Sequence, residues 1–115
     1  MINYHAELVS TLESILPTHY ELLLHRGLDT PCISYMELDN IADEEGDTLG
    51  YSSIIYQIKI WGHGIDELQE YALQIDKALR PLGFKRSACR ELHDRESTMI
   101  QKILTYRAKG LEEFE

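Results

Sequence analysis

The segment IIYQIKIWGHG, residues 54–64, decides the fold of this chain. Its first eight residues alternate between an apolar set and a half-polar set: Ile54, Tyr56, Ile58 and Ile60, then Ile55, Gln57, Lys59 and Trp61. This alternation predicts a strand that packs on one face and is partly open to water on the other. Gly62 and Gly64 follow at once, and the conformational freedom of glycine lets the chain change direction there.

Two helices are predicted around this strand. In residues 66–83, Asp66 with Gln69 resembles a capping box, and Pro81 and Gly83 end the helix. Its apolar stripe is Leu68, Ala72, Ile75 and Leu79. An earlier helix is predicted over residues 4–16, with Asn3 as its N-cap and Pro17 as its stop.

Four further stretches read as strands, because short apolar or alternating runs are bounded by turn residues. They are residues 19–26, 32–37, 84–93 and 97–109, the last two joined as a hairpin at DRES. The predicted order is α-β-β-β-α-β-β, an α+β fold with two helices packed on one face of a mostly antiparallel sheet. We predict one domain over residues 1–110, with a long acidic loop at 37–50 and a short acidic tail at 111–115.

Length and charge exclude several classes of function. A chain of 115 residues can bury enough apolar surface to fold without a disulfide or a metal. The net charge of −9 disfavours binding to nucleic-acid backbones and to anionic membranes. No apolar run approaches the length of a membrane span, and the N-terminus lacks the pattern of a signal peptide. We therefore expect neither membrane nor specific DNA binding.

No motif for chemistry is visible. The five histidines lie on separate elements without ligand spacing, so we expect no metal, although folding could still gather two or three of them. There is no GxSxG elbow and no phosphate-binding glycine spacing. Cys32 and Cys89 fall in predicted strands as small core residues, which we expect to be reduced thiols, with a bridge between them as the minor alternative. We expect no enzyme, no catalytic residue and no cofactor.

The predicted loop is the most unusual stretch. Between residues 27 and 58 there is no lysine or arginine, and six acids fall within eleven residues: Glu37, Asp39, Asp43, Glu44, Glu45 and Asp47. Their spacing does not match an EF-hand. Two readings of the loop remain open. It is a solvated hairpin loop, or its charge faces something to which it must not adhere.

The cations have the opposite distribution. Nine of the eleven lie between residues 77 and 109, toward the C-terminal end: Lys77, Arg80, Lys85, Arg86, Arg90, Arg95, Lys102, Arg107 and Lys109. An acidic first half and a basic second half suit a head-to-tail contact between copies, and they equally suit ion pairs within one copy. For the first case we predict subunit contacts at Trp61, Arg86, Arg90 and Arg107, because aromatic and arginine side chains are enriched at interface centres.

The chain as a whole resembles a known family. The features that carry the resemblance are a P…ISY strand (residues 31–35), the YQIKIW strand (56–61), a helix ending in ALRPLGF (78–84) and a last strand KILTYRAK (102–109). In this succession the sequence resembles the small tail-completion proteins of bacteriophages and prophages, also called tail terminator or head–tail joining proteins. The resemblance covers nearly the whole chain, and it is one of elements and apolar positions.

The resemblance implies a structural protein of the virion tail, assembled in the bacterial cytoplasm. Such a protein forms a homohexamer ring on the head-proximal end of the tail tube, ends tube polymerisation and joins tail to head. Its implied partners are itself, the tail tube protein and the head or neck connector proteins. The acidic loop would project toward a neighbour or the lumen, where DNA passes without specific binding.

Two alternatives stay open at this stage. One is a neck or head-completion component that contacts the portal instead of the tube. The other is a small ligand-binding or regulatory α+β module, which a concave pocket with convergent polar groups would favour.

Overall fold

A computed structural model describes residues 4–21, 29–42 and 51–111 of the chain. Its helices and strands occur in the predicted order, and the α+β fold is confirmed. A 3-10 turn at Arg80–Leu82 follows the second helix. The elements are α1 (His5–Glu13), β1 (Thr18–Tyr20), β2 (Cys32–Ala42), β3 (Tyr51–Gly62), α2 (Ile65–Leu79), β4 (Lys85–His93) and β5 (Ile100–Leu111).

The five strands form one sheet in the order β1-β2-β3-β5-β4. Among the strands that the structure describes, β1 and β2 are the one parallel pair, and the other neighbours are antiparallel. The strand β3 pairs along nearly its whole length with both β2 and β5, so residues 54–61 lie in the middle of the sheet. The outermost strands are the three-residue β1 and the nine-residue β4.

The core lies between this sheet and the two helices. Ile54, Tyr56, Ile58 and Ile60 of β3 are each no more than 2% exposed, as their alternation predicts. We call their side of the sheet the helix face, and the side of Gln57, Lys59 and Trp61 the open face. The helix face is covered by buried side chains of α1 and α2: Leu8, Leu12, Leu68, Ala72, Ile75 and Leu79.

The predicted capping box of α2 is wrong. Gly64 is the N-cap, with an extended backbone (φ −108°, ψ 122°), and no side chain caps the helix. Because the glycine turn is compact, the helix begins at Ile65 and Asp66 already lies in its first turn. In the first turn, the negative Asp66 carboxylate is stabilised by the positive end of the helix dipole. The helix α1 is shorter than predicted at both ends, and Asn3 lies outside the described residues.

The strand β2 is longer than predicted, whereas β3 agrees with the predicted strand 51–61 to within one residue. Residues 37–42, assigned to the acidic loop, continue β2 with a register shift between Glu37 and Asp39. Polar side chains are tolerated there because the strand is exposed on both faces from Glu37 to Asp39. Residues 43–50 of the predicted loop and 112–115 of the predicted tail lie outside the described residues. The same holds for residues 22–28, which include the last five residues of the predicted strand 19–26. The strand β5 includes Leu111, the first residue of the predicted tail.

The prediction of two core cysteines is half wrong. Cys32 is buried, but Cys89 is exposed on β4, and both thiols are free. In the sheet order, β3 and β5 separate β2 from β4. At ~4.8 Å per strand spacing this places the two cysteines roughly 14 Å apart, too far for the minor alternative of a bridge.

Candidate functional site

The nine-residue strand β4 is an exposed edge. All its residues are exposed, and among the described residues it pairs only with β5. Three of its side chains are cationic: Lys85, Arg86 and Arg90. An edge of this length offers unpaired backbone N–H and C=O groups, and charged side chains are the usual protection against indiscriminate pairing.

On the opposite side of the sheet, the described residues leave part of a second edge without a strand partner. Because β1 pairs only with Ile33–Tyr35, none of the described residues pairs with the outer side of β2 beyond Tyr35. Glu37 and Asp39 are exposed there, and the bulged Leu38 between them is 48% exposed. This edge has acidic and apolar side chains and no cation.

The two edges are connected by one row of residues across the sheet. Asp39 pairs with Ile55, Ile55 with Arg107, and Arg107 with Lys85. The row therefore runs from a carboxylate on β2 to cations on β5 and β4. The unequal charge of the two halves of the sequence becomes a separation of charge across the width of the sheet.

The helix side of the basic edge contains a groove. It has a volume of about 320 Å³ and is lined by Asp76, Arg80, Phe84, Lys85, Arg86 and Tyr106. The Tyr106 hydroxyl donates a hydrogen bond to Asp76, and burial together with that carboxylate raises the pKa of Tyr106. Arg86 Nε lies 3.5 Å from the other Asp76 oxygen. Lys85 and Arg86 belong to β4 itself, and Arg80 offsets Asp76, so the groove keeps the net positive charge of the edge without adding to it.

A buried lysine connects the same edge to α2. Lys102 lies on the helix face, where its Nζ donates to Gln69 Oε1 at 2.5 Å and to Glu91 Oε1 at 2.7 Å. The Lys102 ammonium holds the pKa of Glu91 below its ordinary value. His93 Nε2 lies 3.5 Å from the second Glu91 oxygen. Sequence reasoning missed this group, although the spacing of Ile100, Lys102 and Leu104 already puts Lys102 on the inward side of β5.

Trp61 lies on the open face, as predicted, but it is only half-exposed. Its Nε1 donates to Ser34 Oγ at 2.9 Å, and Lys59 Nζ lies 5.8 Å from its ring centroid. Lys59 in turn forms an ion pair with Glu21. The Glu21–Lys59 ion pair and Trp61 thus cover the buried Ser34 on the open face of the sheet. Trp61 is held by the sheet, and its role as a subunit contact stays a prediction.

The predicted interface residues fall into two groups. Arg86, Arg90 and Arg107 gather on β4 and β5, whereas Glu37 and Asp39 lie on β2. Asp43, Glu44, Glu45 and Asp47 lie outside the described residues. Within the described ranges, no three histidine, cysteine or acidic side chains come together as metal ligands. None of the helices there is long and apolar enough to cross a membrane.

Several chains of solved structures share this fold. One of them is a chain from the virion of a native gene transfer agent particle, at a TM-score of 0.64 and 13% sequence identity. The match covers 93% of the present chain and 86% of that one. No protein-family model and no curated protein matches the sequence. At this identity the likeness shows a shared fold and nothing more.

Proposed function

We propose that this chain is a structural protein of a tailed, phage-like particle. In this proposal it forms a ring of six copies that caps the head-proximal end of the tail tube, ends tube polymerisation and joins tail to head. The observation that carries the proposal is the fold shared, over 93% of the chain, with a chain of a virion. The position at the head-proximal end of the tail rests on the resemblance of the sequence to tail-completion proteins.

The distribution of charge supports a ring. A head-to-tail contact uses two different surfaces of each copy, and repeated rotation closes it into a ring. This sheet presents an acidic edge on β2 and a basic edge on β4, which is the complementarity that such a contact needs. Partners of the ring would be the tail tube protein on one side and head or neck connector proteins on the other.

The acidic segment suits the lumen of such a ring. It follows directly from the end of β2, and its residues Asp43, Glu44, Glu45 and Asp47 would repel the phosphates of passing DNA. Repulsion acts over a screening length of roughly 8–10 Å, so carboxylates that line a bore keep DNA from adhering to its wall. Changing these four residues to Lys is expected to leave ring assembly intact and to lower the yield of infectious particles. Full infectivity of the variant would contradict the lumen role.

The test of the ring is a mass measurement. Light scattering behind a sizing column, with negative-stain images of the same peak, is expected to show about six copies at high concentration. Purified tail tubes then provide the functional test, since added protein is expected to stop their elongation at one end. Binding to isolated portal with no effect on tubes would instead favour the neck or head-completion alternative. A tight dimer that ignores both would contradict the proposal.

A further inference from the structure

Pairing of β4 with the β4 strand of a second copy is unfavourable because of its positive charge. If β4 of two copies paired antiparallel about its centre, Arg90 would lie opposite Ala88 and Arg86 opposite Leu92 of the other copy. No carboxylate would then lie opposite a cation, and the six cations of the two strands would share one short edge, where like charges repel. A strand that extends the sheet at β4 should therefore be acidic. Within the described residues, the outer edge of β2 beyond Tyr35 is the strand segment with that charge.

The directions of the strands allow this pairing. From β2 through β3 and β5 to β4 each neighbour is antiparallel, so β2 and β4 run in opposite directions within one copy. A second copy placed beside the first in the same orientation therefore sets its β4 antiparallel to the β2 of the first. The contact continues the pattern of the sheet across the subunit boundary and satisfies backbone groups on both edges.

Two features set the register of this contact: the sheet face on which each side chain lies, and the length of β2 that β1 already covers. Asp39 pairs with Ile55 and Arg90 pairs with Ile103, which places both on the open face. With Arg90 opposite Asp39, side chains of both strands lie on matching faces, and most of β4 lies beyond the end of β1. The same register brings Cys89 level with Asn40.

We propose that β4 of one copy adds to the outer edge of β2 in the next copy, with Arg90 opposite Asp39. This inference rests on the proposed ring and specifies the contact between its subunits. Each copy uses a different strand on each side, so the contact repeats from copy to copy until the ring closes.

A single substitution tests the contact, because Cys89 is already exposed. Asn40→Cys adds a thiol on β2 to each copy, and in the proposed register position 40 lies opposite Cys89 of the next copy, so a disulfide between the two positions is expected. Mild oxidation at high concentration is expected to give a ladder of linked species larger than a dimer on a non-reducing gel. Peptide mass spectrometry is expected to find the link between positions 40 and 89.

Two control variants make the result specific. The Asn40→Cys, Cys89→Ser protein lacks one thiol of the pair and is expected to give no ladder. Leu73→Cys places the new thiol on an exposed position of α2, away from both edges, and is expected to show only the slow background of the parent. Dimers linked solely through Cys89, or a ladder equally strong in Leu73→Cys, would overturn the proposed contact.

The outcomes also separate this inference from the proposed function. A ring of six copies without the 40–89 link would leave the ring standing and refute the edge pairing. A 40–89 ladder from a protein that neither closes into rings nor caps tail tubes would support the edge pairing and refute the function. Absence of both link and ring would refute both.

Discussion

Lys102 is a charged residue at a buried position, where an apolar side chain would be expected. It occupies an inward position of β5 between Ile100 and Leu104, and it is 7% exposed. A buried ammonium is tolerated because Gln69 and Glu91 supply two acceptors. Desolvation offsets much of the attraction in such a pair, so its net contribution to stability is small, whereas loss of one partner is costly.

We therefore expect an asymmetry between two substitutions. Lys102→Met replaces the charge with an apolar chain of similar length and should change the free energy of unfolding by less than about 1 kcal/mol. Glu91→Ala leaves the ammonium with one acceptor and should cost about 1–2 kcal/mol, reduced from a fully buried case because Glu91 is partly exposed. Urea unfolding of both variants measures the difference. Equal losses would mean that Lys102 acts mainly by packing.

The buried tyrosines predict that the stability of the protein depends on pH in the alkaline range. Burial, followed by Glu37 and the neighbouring Tyr35 and Tyr20, raises the pKa of Tyr56 to about 12. The pKa values of Tyr35 and Tyr106 are raised as well, mainly by burial. A raised pKa in the folded state contributes stability that is fully present below the ordinary value and is lost as the pH rises through the folded value.

The protein is thus expected to lose stability as the pH rises from about 10 toward 12. Tyr56→Phe should reduce that loss by about 2 kcal/mol, because the substituted ring has no proton to release. Urea midpoints measured at pH steps across this range provide the comparison. An identical pH dependence in Tyr56→Phe and the parent would contradict the assignment.

At the scale of elements, the sequence predicts strand identity better than strand ends. The alternation in β3 identifies the buried face because the helices cover that whole face. It does not show where β2 ends, since an exposed strand tolerates the same acidic residues as a loop. Nor does it show that Cys89 is exposed, because exposure depends on β4 being at the edge, which only the sheet order reveals.

The junction of β3 and α2 gives a prediction with a matched control. A Cβ on Gly62 would lie 2.9 Å from Leu68 Cδ2, and Leu68 is fully buried, so its side chain has little room to move. Gly62→Ala is expected to destabilise the protein by about 1–3 kcal/mol through overpacking. Gly64→Ala, whose Cβ would lie 3.5 Å from the exposed Glu67, should cost less than about 1 kcal/mol.

Thermal unfolding of the two glycine variants distinguishes the two positions. A loss at Gly64 equal to that at Gly62 would show that backbone freedom, not close packing, sets the requirement for glycine in this turn. The sequence predicted the turn but not which glycine is required for packing, because that depends on how closely α2 approaches the end of β3.

At the scale of the whole molecule, charge separation is the dominant feature. The sequence predicted unequal halves, but two arrangements were open because a chain can fold its acidic half against its basic half. In the sheet order, β3 and β5 lie between β2 and β4. The acidic and basic strands are therefore kept apart and do not pair with one another within one copy. The role predicted for the acidic residues between Asp43 and Asp47, which lie beyond the described ranges, stays a prediction.

A charge swap tests whether this separation drives assembly. Asp39→Lys and Arg90→Glu should each weaken assembly about tenfold, because each places like charges opposite one another. The double variant restores opposite charges with the signs exchanged and should recover most of the assembly. Analytical ultracentrifugation measures all three against the parent. A double variant as defective as the worse single one would show that the two residues do not meet.

The dimensions of the chain have a consequence for how it moves. A body with extents of 52 × 25 × 24 Å tumbles and diffuses more slowly than a sphere of the same mass. A single copy should therefore leave a sizing column early, at the volume of a heavier globular standard. Six such bodies set edge to edge in a closed ring would be nearly isotropic in the plane. Assembly should thus raise the mass by a larger factor than elution volume alone suggests.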